Sequence, residues 1–347
     1  MNATDVHVLR RRNFRRHLRL LILLGLAVFA MMAVRVLLGQ YTVTIPDFFR
    51  ILGGERIPGA TFIVMQDKLP RALLGAAAGL AFGISGALFR SVLRNPLASP
   101  DVLGINAGAA AGAVAAMYFW GAAGSGLAWS GLAGALTAAG LIAAASTSLR
   151  SGTGRSGIVG ERFLLAGIGV AALAQAVVVG LMARLTTQSA QSAAVWTVGS
   201  LNSSTWDRLV LVALVLLVAV PSAVFLHQAL RPASLGTELA VGLGSHPGAV
   251  QTAALALGVV LAAVATAATG PLAFVALLST PIAAALRGGK ISVLASGAIG
   301  ALIVVAADMV GAEMFGDTRL PAGVVTGAIG APVMLWLLVQ MRRGRQS

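Results

Sequence analysis

The chain has 347 residues, 58% of them hydrophobic and 10% charged, with a mean hydropathy of +0.89. A soluble domain carries roughly 25% charged residues, so most of this chain lies in lipid or among helices that do. The absence of cysteine excludes disulfides and thiolate metal sites, and the net charge of +14 does not point to nucleic acid, because the basic residues fall in short loops and at the termini.

A spanning helix needs about 20 mostly apolar residues. Ten segments fit in chain order: 18–38, 69–89, 105–120, 126–148, 162–185, 206–230, 247–268, 271–286, 291–314 and 320–341. The third and eighth are short. With 42 glycines and even more alanine, the helices can approach closely, which favours a packed bundle over isolated anchors. The expected fold is an all-α polytopic membrane protein. Residues 1–17 and 342–347 read as basic tails on the inner side, residues 18–341 as the membrane domain.

With ten spans both termini share one side. If that side is cytoplasmic, the two tails, Arg19 at the inner end of the first span and the inner loops (Arg90, Arg94, Arg150, Arg155, Arg162, Arg231, Arg287, Lys290) hold 17 of the 25 basic residues. Arg35, Arg50, Arg56, Lys68, Arg71, Arg184, Arg208 and Arg319 remain outside. Cytoplasmic loops carry the excess of Lys and Arg, so both termini are expected inside. A basic stretch before the first apolar run also fits a cleaved leader. Removing that span would invert the charge bias, so it is read as retained.

The punctuation predicts helix ends. Ser99-Pro100-Asp101 reads as an N-cap, a proline at the first helical position and an acid in the first turn. Pro247 and Pro321 can open helices, whereas Pro332 lies inside the last span and predicts a kink. Gly327 and Gly330 beside it leave room for a neighbour. Residues 231–248 are too polar to span. Ser234 can cap a short helix there, Gly242 and Gly244 can end it, and the result is either a docking elbow or an ordinary loop.

Chemistry-bearing motifs are few. Gly288-Gly289-Lys290-Ile291 lacks the spacing and hydroxyl of a phosphate-cradling loop, so any ATP must sit on another chain. Gly83-Ile84-Ser85-Gly86 resembles an intramembrane protease nucleophile, but His7, His17, His227 and His246 all lie in the tail or at inner helix ends, away from a base position. Close helix packing explains it better. Asp308, with no evident partner, and Gln175 are the notable intramembrane polar groups. Each either faces a translocation path or bonds a neighbouring helix.

Several phrases in order resemble one family. They are Leu69-Pro70-Arg71, the run from Arg94 to Gly104, Phe163-Leu164-Leu165-Ala166-Gly167, Trp196 to Leu201, Gly270 to Val275, Ala306-Ala307-Asp308 and Leu320 to Pro332. The chain from about Lys68 to Trp336 is similar to the FecCD-type permeases of ATP-driven importers for iron-siderophores, heme and cobalamin, and the run from Arg94 resembles the ferric-catecholate members most. The resemblance implies ten helices per subunit, a second permease subunit that is identical or a paralogue, two ATPase subunits that hold ATP and Mg, and an extracytoplasmic binding protein. It implies no catalytic residue, metal or cofactor on this chain, a bacterial inner-membrane location, and a ferric siderophore as cargo.

The resemblance also assigns roles. Leu235, Gly236, Glu238, Ala240, Leu243 and Gly244 look like coupling helices that seat in the ATPase. Arg50, Arg56 and Arg319 are outer candidates for meeting acidic residues of the binding protein. Gln175, Thr326 and Pro332 fall on the spans expected to line the path, and Val159, Gly160 and Glu161 stand at the gate position just before the fifth span. Departures are Arg90 where Gln is common, Thr280-Pro281-Ile282-Ala283 with its proline shifted by one, and Val159-Gly160-Glu161 in place of a small polar gate. Heme or cobalamin cargo, an ion-coupled secondary transporter, and a membrane scaffold are the competing readings.

Overall fold

The computed structural model describes residues 3–39, 41–148, 159–315 and 319–343; side chains at 3–11, 147–148, 159–161, 234–235, 237–238, 338 and 341–343 lie outside the description. A helix coincides with each of the ten apolar segments. α1 (Ala3–Leu37) starts within the basic tail. A short amphipathic α2 (Ile45–Leu52) follows, then α3 (Ala60–Phe62) and a π-helical stretch Ile63–Lys68, which run directly into α4 (Leu69–Leu93). Next come α5 (Ile105–Trp120), α6 (Ser125–Ser148) and α7 (Val159–Met182).

A short α8 (Thr187–Val198) precedes α9 (Trp206–Ala229). Its polar start, Thr187-Gln188-Ser189, hides it from a search for apolar runs, yet the Thr186 hydroxyl caps it by accepting the Ser189 N–H. A 3-10 turn (Pro232–Leu235) and α10 (Thr237–Gly242) fill the polar stretch before α11 (Pro247–Thr269). The last three helices are α12 (Val275–Leu286), α13 (Val293–Glu313) and α14 (Ala322–Arg343). Among the described residues seven helices are long and apolar enough to cross a membrane, while Ile105–Trp120, Val275–Leu286 and Ala322–Leu337 are shorter apolar helices.

One predicted helix end moves. Ser99-Pro100-Asp101 does not open α5. The Ser99 and Pro100 carbonyls accept the Leu103 and Ile105 N–H groups in successive turns, and α5 begins only at Ile105. Gly104, at φ +80°, reverses the chain just before it, and a Cβ there would lie 2.8 Å from the Ala171 backbone nitrogen. Only glycine tolerates both the left-handed backbone and that contact. Pro247 does open α11, as its sequence position predicts.

α4 is the core of the bundle. Its sequence is apolar all round, and 78% of its most apolar stretch is buried, against 17% for the corresponding stretches of α1, α7 and α9. α13, α11, α12, α9 and α1 pack around it. Closest is α13, because Gly79 and Gly83 bring the two backbones together; a Cβ on Gly83 would sit 2.1 Å from the Ser296 carbonyl oxygen.

The packing plan occurs twice. α4, α5, α6 and α7 are related to one another as α11, α12, α13 and α14 are: the first helix of each set packs on the third helix of the other, and the second packs on the third of its own. Asn95-Pro96-Leu97-Ala98 leads to the short α5, and Gly270-Pro271-Leu272-Ala273 leads to the short α12. Non-helical backbone among apolar helices needs protein on every side, and Ala98, Ser99, Leu103 and Leu272 are all fully buried.

Candidate functional site

The elbow between α9 and α11 is built by glycines. Gly236 at φ +106° separates the 3-10 turn from α10, and Gly244 at φ +76° turns the chain toward Pro247. Ala240 is completely buried, whereas Leu239, Val241 and Leu243 are between 58% and 68% exposed. Side chains added at Gly236, Gly242 or Gly244 would meet nothing within 4 Å. The elbow therefore presents an apolar ridge beside an open glycine surface. Leu235 and Glu238 contribute their backbone to the turn and to α10; their side chains lie outside the described residues.

The elbow is tied to the polar run that follows α4. Arg94, itself at φ +49°, donates to the Ala233 carbonyl. Ser91 Oγ lies 3.4 Å from His227 Nδ1, joining the ends of α4 and α9. Arg287 donates to the Ile291 carbonyl at 2.8 Å, and burial, then the neighbouring Arg231, lowers its pKa from the ordinary arginine value. The Arg94 bond thus links the elbow to the start of the 94–104 segment.

That segment joins Asp101, expected only as an acid in a first helical turn, to two polar groups the sequence did not single out. Asp101 Oδ1 accepts from Asn106 Nδ2 at 2.6 Å, and Asn106 Oδ1 accepts the Thr266 hydroxyl at 3.0 Å. The other Asp101 oxygen is buried without a well-formed hydrogen bond, and the carboxyl also faces the Phe274 backbone N–H. Leu103 and Gly104 press on Gly167 and Ala171 of α7. Arg90, where the family pattern has Gln, is buried and donates to the Leu277 carbonyl of α12.

Of the expected path residues, Gln175 is exposed on α7 and Pro332 exposed on α14. Thr326 is 4% exposed and donates to the Gly323 carbonyl. Gly330 receives the Phe274 ring, since a Cβ there would fall 2.5 Å from Phe274 Cβ, whereas Gly327 faces open space. Val159, Gly160 and Glu161 form the first turn of α7, and their side chains lie outside the described residues.

At the opposite end of the bundle the structure corrects the reading of Asp308 as lacking a partner. Arg71 from α4 binds both its oxygens, with Nη2 2.7 Å from Oδ1, and Arg35 from α1 adds Nε at 2.8 Å from Oδ2. All three are at most 4% exposed. Beside them Lys68 Nζ donates to the Leu38 and Tyr41 carbonyls. Arg35, Arg71 and Lys68, which all stood outside the charge bias, are therefore bonded inside the protein at this end. The two arginines on Asp308 hold α1, α4 and α13 together.

The proposed docking cations lie at this same end. Arg50 forms two 2.8 Å bonds to Glu55, which hold its pKa above the ordinary value, and lies 3.7 Å from Asp47. Arg319 Nη1 is 3.9 Å from Asp67, and Arg56 is exposed.

With this geometry in hand, the sequence model of the FecCD transport family matches residues 20–340. The chain belongs to the FecCD transport family. It is 33% identical over 306 residues to the ferric enterobactin transport system permease protein FepG of Escherichia coli (strain K12), covering 88% of this chain and 91% of that one. It is 34% identical over 321 residues to the achromobactin transport system permease protein CbrC of Dickeya dadantii (strain 3937), covering 91% and 90%. A solved structure described as a metal-chelate type ABC transporter in an inward-facing conformation shares its fold, with a TM-score of 0.79, 24% identity, and coverage of 93% of this chain and 99% of that one.

Proposed function

We propose that this chain is the membrane permease subunit of an ATP-driven importer that moves a ferric siderophore into a bacterial cytoplasm by alternating access. It crosses the inner membrane ten times with both termini inside, and it pairs with a second permease subunit, two ATPase subunits and an extracytoplasmic binding protein. The chain performs no covalent chemistry, and ATP and Mg are held by the ATPase.

The observation that carries this reading is the elbow at 231–246. Its apolar ridge of Leu239, Val241 and Leu243 stands at the end of the bundle that gathers the basic loops. An exposed apolar ridge needs a partner or it aggregates, and a separate motor subunit supplies one. Named relatives that transport ferric enterobactin and achromobactin support the cargo class. An ion-coupled transporter loses its best carrier, because Asp308 is already neutralised by two arginines.

The test is reconstitution of the chain with its ATPase and binding protein in proteoliposomes. Uptake of ferric siderophore that requires internal ATP is the expected result. Uptake by the chain alone under an ion gradient would overturn it.

A further inference from the structure

At the end opposite the elbow, a cavity of about 300 Å³ opens between α6, α9 and α11. Its walls are apolar, with Trp129, Leu132, Leu211 and Val264 among them, and its mouth carries Asp207 and Arg208, adjacent residues in the first turn of α9. We propose that this cavity is a binding site for a zwitterionic, amine-bearing phospholipid such as phosphatidylethanolamine. This site rests on the permease reading only in requiring a bilayer around the bundle.

Depth is the first support. Trp120 and Phe119 at the end of α5 and Trp129 at the start of α6 are at least 60% exposed, and they lie at the same end as the mouth. Such rings gather where hydrocarbon meets headgroups. The cavity therefore opens at headgroup level. From there along α9 the side chains of Leu214, Leu217 and Val218 are 59–73% exposed, an apolar track that continues toward the membrane centre. An acyl chain fits that track, and a polar solute does not.

Charge is the second support. Arg208 spends three N–H groups inside the protein, on Ser203 Oγ at 2.8 Å, the Ala268 carbonyl at 3.3 Å and the Gly124 carbonyl at 3.2 Å. A guanidinium has five N–H donors, so two are left for a phosphate oxygen, with the guanidinium plane held in place by the others. Asp207 beside it is exposed. It repels a purely anionic headgroup and attracts a primary ammonium. The pair matches a headgroup in which phosphate and ammonium are a few bonds apart, and it disfavours phosphatidylglycerol.

Native mass spectrometry on the isolated full chain tests the site. After delipidation, the chain is titrated with phosphatidylethanolamine or phosphatidylglycerol in mixed micelles. Phosphatidylethanolamine is expected to be retained with about fivefold preference, the order contributed by a single charge at a headgroup. Asp207→Asn should bring the two lipids to parity. Leu211→Trp, which fills the cavity from its exposed side, should abolish retention without lowering the unfolding temperature. Equal retention of both lipids by the unaltered chain, no retention of either, or an unchanged preference in Asp207→Asn overturns the proposal. Because lipid retention is read on the chain alone, a failure here leaves the transport assay to judge the permease reading separately.

Discussion

Arg71 Nη2 stands 2.7 Å from Asp308 Oδ1, with both side chains at most 2% exposed and 237 residues apart in the chain. Arg35 completes the cluster from a third helix. A buried ion pair contributes little net stability when intact, but losing one member strands the other charge. Asp308→Ala leaves two buried guanidinium groups facing one another. It should destabilise the protein by about 3–5 kcal/mol, seen as a large fall in the unfolding midpoint in detergent. The combined change Arg35→Met, Arg71→Met, Asp308→Leu should cost markedly less. Equal damage from the single and triple variants would count against the cluster acting as a unit.

The α4–α13 contact depends on missing side chains. Gly83→Ala puts a methyl group 2.1 Å from the Ser296 carbonyl oxygen, and Gly79→Ala puts one 2.4 Å from that of Gly300. Overpacking of this kind costs about 1–3 kcal/mol. Gly140→Ala, with nothing within 4 Å, is the control and should be neutral. Thermal unfolding of the three variants in one detergent checks the order.

On the elbow, exposure separates two kinds of residue. Leu239→Asp and Leu243→Asp should leave the fold intact and sharply reduce recovery of the ATPase in a pull-down, because these side chains are exposed. Ala240→Leu has no free space and should disturb the elbow itself, lowering the unfolding midpoint as well as ATPase recovery. Full ATPase recovery by both aspartate variants would remove the elbow from the coupling interface.

Arg56 and Arg50 should differ as docking charges. Arg50 is already neutralised by Glu55 and Asp47, whereas Arg56 is exposed to solvent. Arg56→Glu should therefore slow association of the binding protein several-fold at low salt, with the difference fading at high salt. Arg50→Ala should change the rate much less. Stopped-flow association at two ionic strengths decides between them.

The Asp101–Asn106–Thr266 chain predicts a different hierarchy. Asn106→Leu removes the side-chain partner of both the Asp101 carboxyl and the Thr266 hydroxyl and should cost about 1–3 kcal/mol for the unsatisfied groups. Asp101→Asn keeps a polar partner for Asn106 and should be milder. Reversal of that order in thermal unfolding would mean the network contributes through charge rather than hydrogen bonding.

Hydropathy and loop charge determined where the ten apolar helices lie, because the need to exclude water acts on each segment alone. Pro247 and the glycines of the elbow were legible for the same reason: their backbone constraints are local. α8 escaped, since its polar first turn carries no apolar signal. The partners of Asp308, the burial of α4 on all sides and the role of Asp101 came only from the tertiary structure. Each depends on which helices cross and at what height, and the contacts concerned join residues 160 to 273 positions apart or separate elements of the bundle. A lone acid in a sequence looks costly; only the arrangement of its neighbours reveals whether that cost has already been met.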